Sequence, residues 1–167
     1  MVLSKTELSG LLQNEVRILL HLISKVDRAK LDYRPTAKQR STLDLLRYLS
    51  MMGPALVAVI TKGTFDPPAW TVAEKAADTL DFDQAVAAIA AQSDAYRRLL
   101  AGVTEADLRA EVSLFGEPAA SRGVQFVNLL FASCVAYRTQ LFLYLKACGR
   151  EELNTWNLWS GIDPPDQ

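Results

Sequence analysis

The sequence is poor in the residues that usually carry chemistry: it has one histidine, His21, and two cysteines among 167 residues. One chain therefore cannot supply two or three imidazole metal ligands, or a pair of histidines acting as acid and base. Two cysteines allow at most one disulfide, which excludes a disulfide scaffold. The 18 basic and 19 acidic residues leave a formal charge of −1. Such a balance gives no field that attracts nucleic acid or anionic lipid.

Targeting signals and catalytic motifs are also missing. The first ten residues do not show the basic, apolar and small-residue pattern of a secretory signal. The longest uncharged apolar run, residues 123–137, is closed by Arg138 and is shorter than the roughly 20 residues of a membrane span. The sequence contains no phosphate-binding loop and no zinc-protease motif. It also lacks the Gly-x-Ser-x-Gly motif of serine hydrolases and the Glu-x-x-His motif of di-iron bundles. We expect a cytoplasmic protein with no nucleic-acid or membrane partner, in a compartment that keeps thiols reduced.

Hydrophobic residues make up 50% of the chain and recur at helical spacing in four long stretches. A Ser-x-x-Glu capping box predicts that the first helix covers about residues 5–28. The second begins after Ser41 and should kink or restart at residues 53–54, Gly-Pro. The third begins after Asp81. The fourth runs from Ser121 to about residue 148, and because it is apolar on nearly all sides we expect it to be the most buried element.

Shorter segments complete the pattern. Thr71 and Glu74 resemble a capping box and predict a short helix. Residues 111–122 predict a long connection or a short ribbon. The chain as a whole, residues 1–167, is predicted to be a single all-α domain: a four-helix bundle with short accessory helices.

The aromatic residues of the C-terminal tail indicate that it packs onto the body of the protein. Trp156 and Trp159 have two interpretations: they roof a pocket, or they clamp the tail to the bundle. The clamp is the preferred interpretation.

Three segments in order carry a resemblance to a known family. They are LDYRPTAKQRSTLDLLRYL (31–49), YRTQLFLYLKACG (137–149) and LNTWNLWSGID (153–163). Together they resemble the DinB-like, or YfiT-like, superfamily of bundle proteins, which includes metal-dependent hydrolases and is unrelated to the DNA polymerase of similar name. The resemblance spans nearly the whole chain and implies the same four-helix bundle.

The resemblance also implies where a metal site would lie. Family members with a metal use one histidine from the second helix and two from the last, spaced His-x-x-x-His. The matching positions here are Tyr48, Ser133 and Tyr137. Neither a phenol nor a serine hydroxyl replaces imidazole well at zinc or nickel. We therefore expect that the metal site has been lost and that no cofactor is bound.

The replaced positions leave two interpretations open. The rings of Tyr48 and Tyr137 fill the old cavity and their hydroxyls find hydrogen-bond partners there. Alternatively the two phenols and Ser133 hold a small polar ligand. A rescued metal site would have to combine His21, Cys134 and a carboxylate.

The other chemically capable residues have structural interpretations. His21 lies at the edge of a buried helix face, and Cys134 most simply acts as a small buried hydrophobe. Arg138 lies in an apolar helix and needs an acidic partner, because an unpaired buried charge is costly. The candidate partners are Asp32, Asp44 and Glu15.

Three functions follow. The preferred one is a non-catalytic DinB-like protein that binds a small molecule in a remodelled pocket formed by Tyr48, Ser133, Tyr137, His21 and Arg138. The second is an interaction module working as a homodimer, since family members commonly pair through helix faces. The third is a surviving enzyme, a metal-dependent hydrolase or a thiol-S-transferase. Dimer formation is compatible with the first.

Overall fold

Four long helices and two short ones form most of the protein in a computed structural model that describes residues 3–165. They are α1 (Lys5–Ile23), α2 (Thr42–Lys62), α3 (Pro67–Asp78), α4 (Phe82–Ala101), α5 (Glu105–Arg109) and α6 (Arg122–Ala147). Helices α1 and α2 each pack against both α4 and α6. The four long helices therefore surround one core, and the predicted all-α bundle is confirmed.

The core consists of apolar side chains at three- and four-residue spacing, which puts them on one face of each helix. Representative fully enclosed members are Leu12, Leu22, Leu45, Ile60, Ile89 and Leu141. Helix ends follow the predicted caps at Ser4, Ser41 and Asp81, where each side chain accepts a hydrogen bond from a backbone N–H in the first turn.

Helix α2 runs through Pro54 instead of restarting there. Proline has no N–H, so the carbonyl of Ser50 loses its usual helical donor. Gln92 of α4 replaces that donor: its Nε2 donates to the carbonyls of Leu49 at 2.7 Å and Ser50 at 2.9 Å. The Tyr96 hydroxyl in turn donates to Gln92 Oε1 at 3.0 Å. A neighbouring helix thus satisfies the carbonyl that the proline leaves without a partner.

Two shorter segments differ from prediction. The helix predicted to begin after Thr71 begins at Pro67 instead, because Asp66 accepts a hydrogen bond from the Ala69 N–H at 3.0 Å and proline suits the first helical position. The prediction of a capping box at Thr71 is therefore wrong, because Thr71 lies inside α3. Helix α1 ends at Ile23, earlier than predicted, and residues 28–30 form a separate 3₁₀ turn.

The segment between α5 and α6 is a short ribbon. Strand β1 (Glu111–Val112) pairs antiparallel with β2 (Ala120–Ser121), with Glu111 opposite Ser121 and Val112 opposite Ala120. The ribbon returns the chain to the start of α6.

Helix α6 is not the most buried element, and that prediction is wrong. Only 22% of its most apolar 18-residue window is buried, against 50% for α2. Helices α1 and α2 pack against α6, but Ala132, Ala136 and Leu143 along its other side stay exposed. The helix contains one wide π turn at Phe126–Phe131. By length and composition alone, α2 and α6 could each cross a membrane. Helix α6 is long enough because it extends beyond the uncharged run of residues 123–137.

Gly53 of α2 is required by the close approach of α4. A Cβ atom at Gly53 would lie 1.9 Å from the Tyr96 hydroxyl. We expect Gly53→Ala to lower the free energy of unfolding by about 1–3 kcal/mol, as overpacking does. Urea denaturation measures this.

The control is Gly10→Ala in α1, where nothing lies within 4 Å of the added atom. It should raise stability by about 0.5–1 kcal/mol, because glycine is unfavourable inside a helix. Equal effects of the two substitutions would contradict the assigned contact.

Candidate functional site

Two of the three predicted metal-site positions meet in the fold. Tyr48 of α2 and Tyr137 of α6 pack edge to face, with ring centroids 5.1 Å apart and planes at 64°. Ser133 lies one turn before Tyr137 and is partly buried, and residues four apart share a helix face. The observed contact joins Tyr48 and Tyr137, and Ser133 is placed near them by its spacing on α6. The contact between the rings favours the interpretation in which they fill the space themselves.

Three further aromatic residues extend this contact. Trp70 lies 6.5 Å from Tyr48, Phe65 lies 5.7 Å from Trp70, and Phe115 lies 4.9 Å from Phe65, measured between ring centroids. We call these three together with Tyr48 and Tyr137 the aromatic cluster. The sequence did not predict that these three residues belong to the site. Trp70 lies in the short helix α3 and Phe65 and Phe115 lie in loops, where no regular hydrophobic spacing indicates which side chains meet. The only available signal was the aromatic content of residues 65–70.

A cation lies over the cluster. The guanidinium of Arg40 lies 3.9 Å from the centre of the Tyr48 ring, a favourable cation–π distance. It also approaches Glu74 at 3.9 Å. Burial raises the pKa of Tyr48, and the neighbouring Tyr137 raises it further, against a smaller lowering by Arg40. The phenol therefore stays protonated at neutral pH and does not offer a metal an anionic oxygen.

Gln140 helps to position Arg40. Its Nε2 donates to the Tyr144 hydroxyl at 2.6 Å, and that hydroxyl donates to the backbone carbonyl of Arg40 at 3.0 Å. Tyr33 packs edge to face on Tyr144 at 5.5 Å. Gln140, in the segment 137–149 that carries the family resemblance, thus contributes structural hydrogen bonds here.

Arg138 faces a different part of the bundle and pairs with Glu15. Its Nη1 lies 2.8 Å and 2.7 Å from the two carboxylate oxygens, and the residues are only 3% and 6% exposed. Burial raises the pKa of Glu15, while Arg138 opposes this. Of the three candidate partners Glu15 is the actual one; Asp44 instead caps α2. The Arg138 Nε is buried without a hydrogen-bond partner among the described residues.

Cys134 has the properties of a structural thiol. Burial, and then the carboxylate of Glu15, raise its pKa to about 12, against smaller lowering contributions from Tyr96 and Arg138. Since the thiolate is the reactive form, this thiol is held in its unreactive state at neutral pH. Cys134 and Cys148 are both unpaired.

His21 holds the C-terminal tail. Its Nε2 lies 3.1 Å from Asn157 Nδ2 and 3.7 Å from the Asp163 carboxylate. Lys25, two residues beyond the end of α1, bonds Asp163 at 2.7 Å. One turn before His21, Arg17 donates to two backbone carbonyls of the tail. The histidine therefore belongs to a polar row, along α1 and the residues just after it, that fixes the tail.

The tail packs on the bundle, but its tryptophans do not clamp it. Trp156 and Trp159 are 47% and 65% exposed, whereas Asn157 is 1% exposed. Gly161 lies so close to Ile18 that a Cβ atom there would be 2.8 Å from the Ile18 Cα. The preferred interpretation of the tryptophans is wrong, because the backbone and an amide make the close contacts.

The five predicted pocket residues thus fall into three separate contacts. Tyr48 and Tyr137 pack together with Ser133 nearby in the chain, Arg138 pairs with Glu15, and His21 binds the tail. Across residues 3–165, no group of three or more histidine, cysteine, aspartate or glutamate side chains could hold a metal ion.

Comparison with solved structures places this bundle in a known class. It is similar to the crystal structure of a DinB-like protein from Bacillus subtilis, with a TM-score of 0.65 and 15% sequence identity, covering 88% of this chain and 95% of that one. The chain therefore has the DinB-like fold, as its sequence resemblance implies. No protein-family model and no curated protein matches the chain.

The contacts of His21 predict a pH dependence. Burial lowers its pKa, as do Lys25 and Arg17, against the opposing effect of Asp163. The unfolded chain therefore binds the proton more readily, and the unfolding free energy falls as the pH drops below about 6.5. His21→Gln should lose less stability than the wild type between pH 7 and pH 5 in urea denaturation. Equal losses would show that His21 contributes nothing to this dependence.

Proposed function

We propose that this chain is a DinB-like protein without the family's metal site, and that it acts as a non-catalytic homodimeric module. The observation that carries the proposal is the open, uncharged side of α6. The buried, protonated thiol of Cys134 and the use of His21 in the tail support a non-catalytic role.

The open side of α6 suits a second copy of the same chain. Its exposed positions include Ala132, Ala136 and Leu143, and residues 123–137 carry no charge. In a two-fold interface each surface meets its own copy, so an uncharged surface avoids repulsion between like charges. The two alanines are small enough to let a second helix approach closely.

The contact between Tyr48 and Tyr137 supports loss of the metal site. Small-molecule binding between these residues would require the two rings to separate. We therefore assign the aromatic cluster a structural role and place the function on the outer surfaces.

Dimer formation is tested with Ala136→Glu, which puts a charge on the open side of α6. We expect the wild type to have twice the mass of the 18.4 kDa chain at micromolar concentration. The variant should be monomeric, because two buried glutamates would repel each other. Light scattering after size exclusion measures both.

The control is Ala91→Glu, at an exposed alanine of α4, which should leave the dimer intact. A monomeric wild type would refute the homodimer. If that monomer sediments with lipid vesicles, the open side of α6 is a membrane-binding surface instead.

The lost metal site is tested by restoring it. The triple variant Tyr48→His, Ser133→His, Tyr137→His should bind zinc or nickel, because the positions share one region and three imidazoles suit these metals. Isothermal titration calorimetry and a metal-dependent rise in Tm measure binding.

A variant with only Tyr48→His and Tyr137→His is the control and should bind more weakly. Zinc or nickel binding by the wild type would contradict the loss. A folded triple variant that does not bind would show that the three positions are not a former metal site.

A further inference from the structure

A second feature lies away from the aromatic cluster: a cavity of about 350 Å³ where the start of α1, helix α5 and the first turns of α6 meet. Its volume is in the range of about 300–1,000 Å³ typical of small-molecule sites. The apolar part of its wall includes Leu8, Leu108, Val124 and Val127. No member of the aromatic cluster lines it.

The sequence explains why this space stays open. Leu8 and Leu108 are only 2% and 6% exposed and belong to the core, whereas Val124 and Val127 are 46% and 38% exposed. At Gly123 an added Cβ atom would lie 3.3 Å from the Leu108 carbonyl oxygen. Glycine therefore lets α6 start close to α5 and contributes no side chain to fill the cavity.

The charge at the cavity has one sign. Arg109 is the only charged residue in the lining, which contains no aspartate or glutamate. Arg109 is exposed and makes no ion pair within the described part of the chain. A cation at the edge of an aliphatic cavity is complementary to a ligand with an apolar chain and an anionic end.

We propose that this cavity binds a single-chain amphiphile with an anionic head, such as a medium-chain fatty acid. The alkyl chain contacts Leu8, Leu108, Val124 and Val127, and the carboxylate pairs with Arg109. This function is independent of the homodimer.

The probe is decanoate, compared with decanol and decylammonium below their micelle-forming concentrations, with isothermal titration calorimetry as readout. Decanoate should bind most tightly and decylammonium least. Arg109→Gln should weaken decanoate binding about tenfold, the loss expected for one charged hydrogen bond, and leave decanol nearly unchanged. The control Arg98→Gln, at an exposed arginine of α4, should change neither.

A second variant, Val127→Trp, fills the cavity and should abolish binding of both decanoate and decanol, with folding checked by circular dichroism. Repeating the titration on Ala136→Glu separates this proposal from the dimer. The proposal is overturned if decanoate does not bind, if decylammonium binds equally well, or if Arg109→Gln weakens decanol as much as decanoate. If decanoate binds only to the monomeric variant Ala136→Glu, the second copy of the chain covers the cavity in the wild-type dimer. That result would also overturn the proposal.

Discussion

The buried ion pair between Glu15 and Arg138 fixes how α6 sits in the bundle. A charge this deeply buried must face its partner, since each ion alone would lose its hydration without compensation. With Arg138 directed at α1, its neighbour Tyr137 is turned by about 100° around the helix, and it meets Tyr48 of α2. The same rotation leaves Ala136 and Leu143 on the open side. One pair of charges therefore determines both the closed aromatic cluster and the uncharged outer surface.

The sequence predicts the features that depend on local chemistry. Caps at Ser41 and Asp81 and the three- and four-residue spacing give the helices, and the family resemblance implies that Tyr48 lies near Tyr137, as the structure has them. Features that depend on distant segments were not predictable. Thr71 has the pattern of a cap, but Asp66 and Pro67 start the helix earlier. The apolar composition of α6 indicates burial, yet burial depends on how much of a helix its neighbours cover.

Packing accounts for the positions at which the family resemblance implies metal ligands. Two phenol rings are in contact there, a guanidinium lies over one of them, and the histidine of the chain holds the tail. The proposals therefore rest on the surface around the first half of α6, which is apolar on its open side and borders a cavity with a single cation. Both proposed activities depend on residues of α6 that the other elements leave exposed.

The hydrogen bond from Gln92 to the carbonyl that Pro54 leaves without a donor limits how this sequence can change over time. Gln92 compensates for the proline, Tyr96 holds Gln92, and Gly53 makes room for Tyr96. Substitution of Gly53, Gln92 or Tyr96 leaves another of the four with a clash or an unmet hydrogen bond. These positions, on two helices far apart in the chain, are therefore expected to be inherited as a unit, so that relatives with a different residue at one should differ at the others.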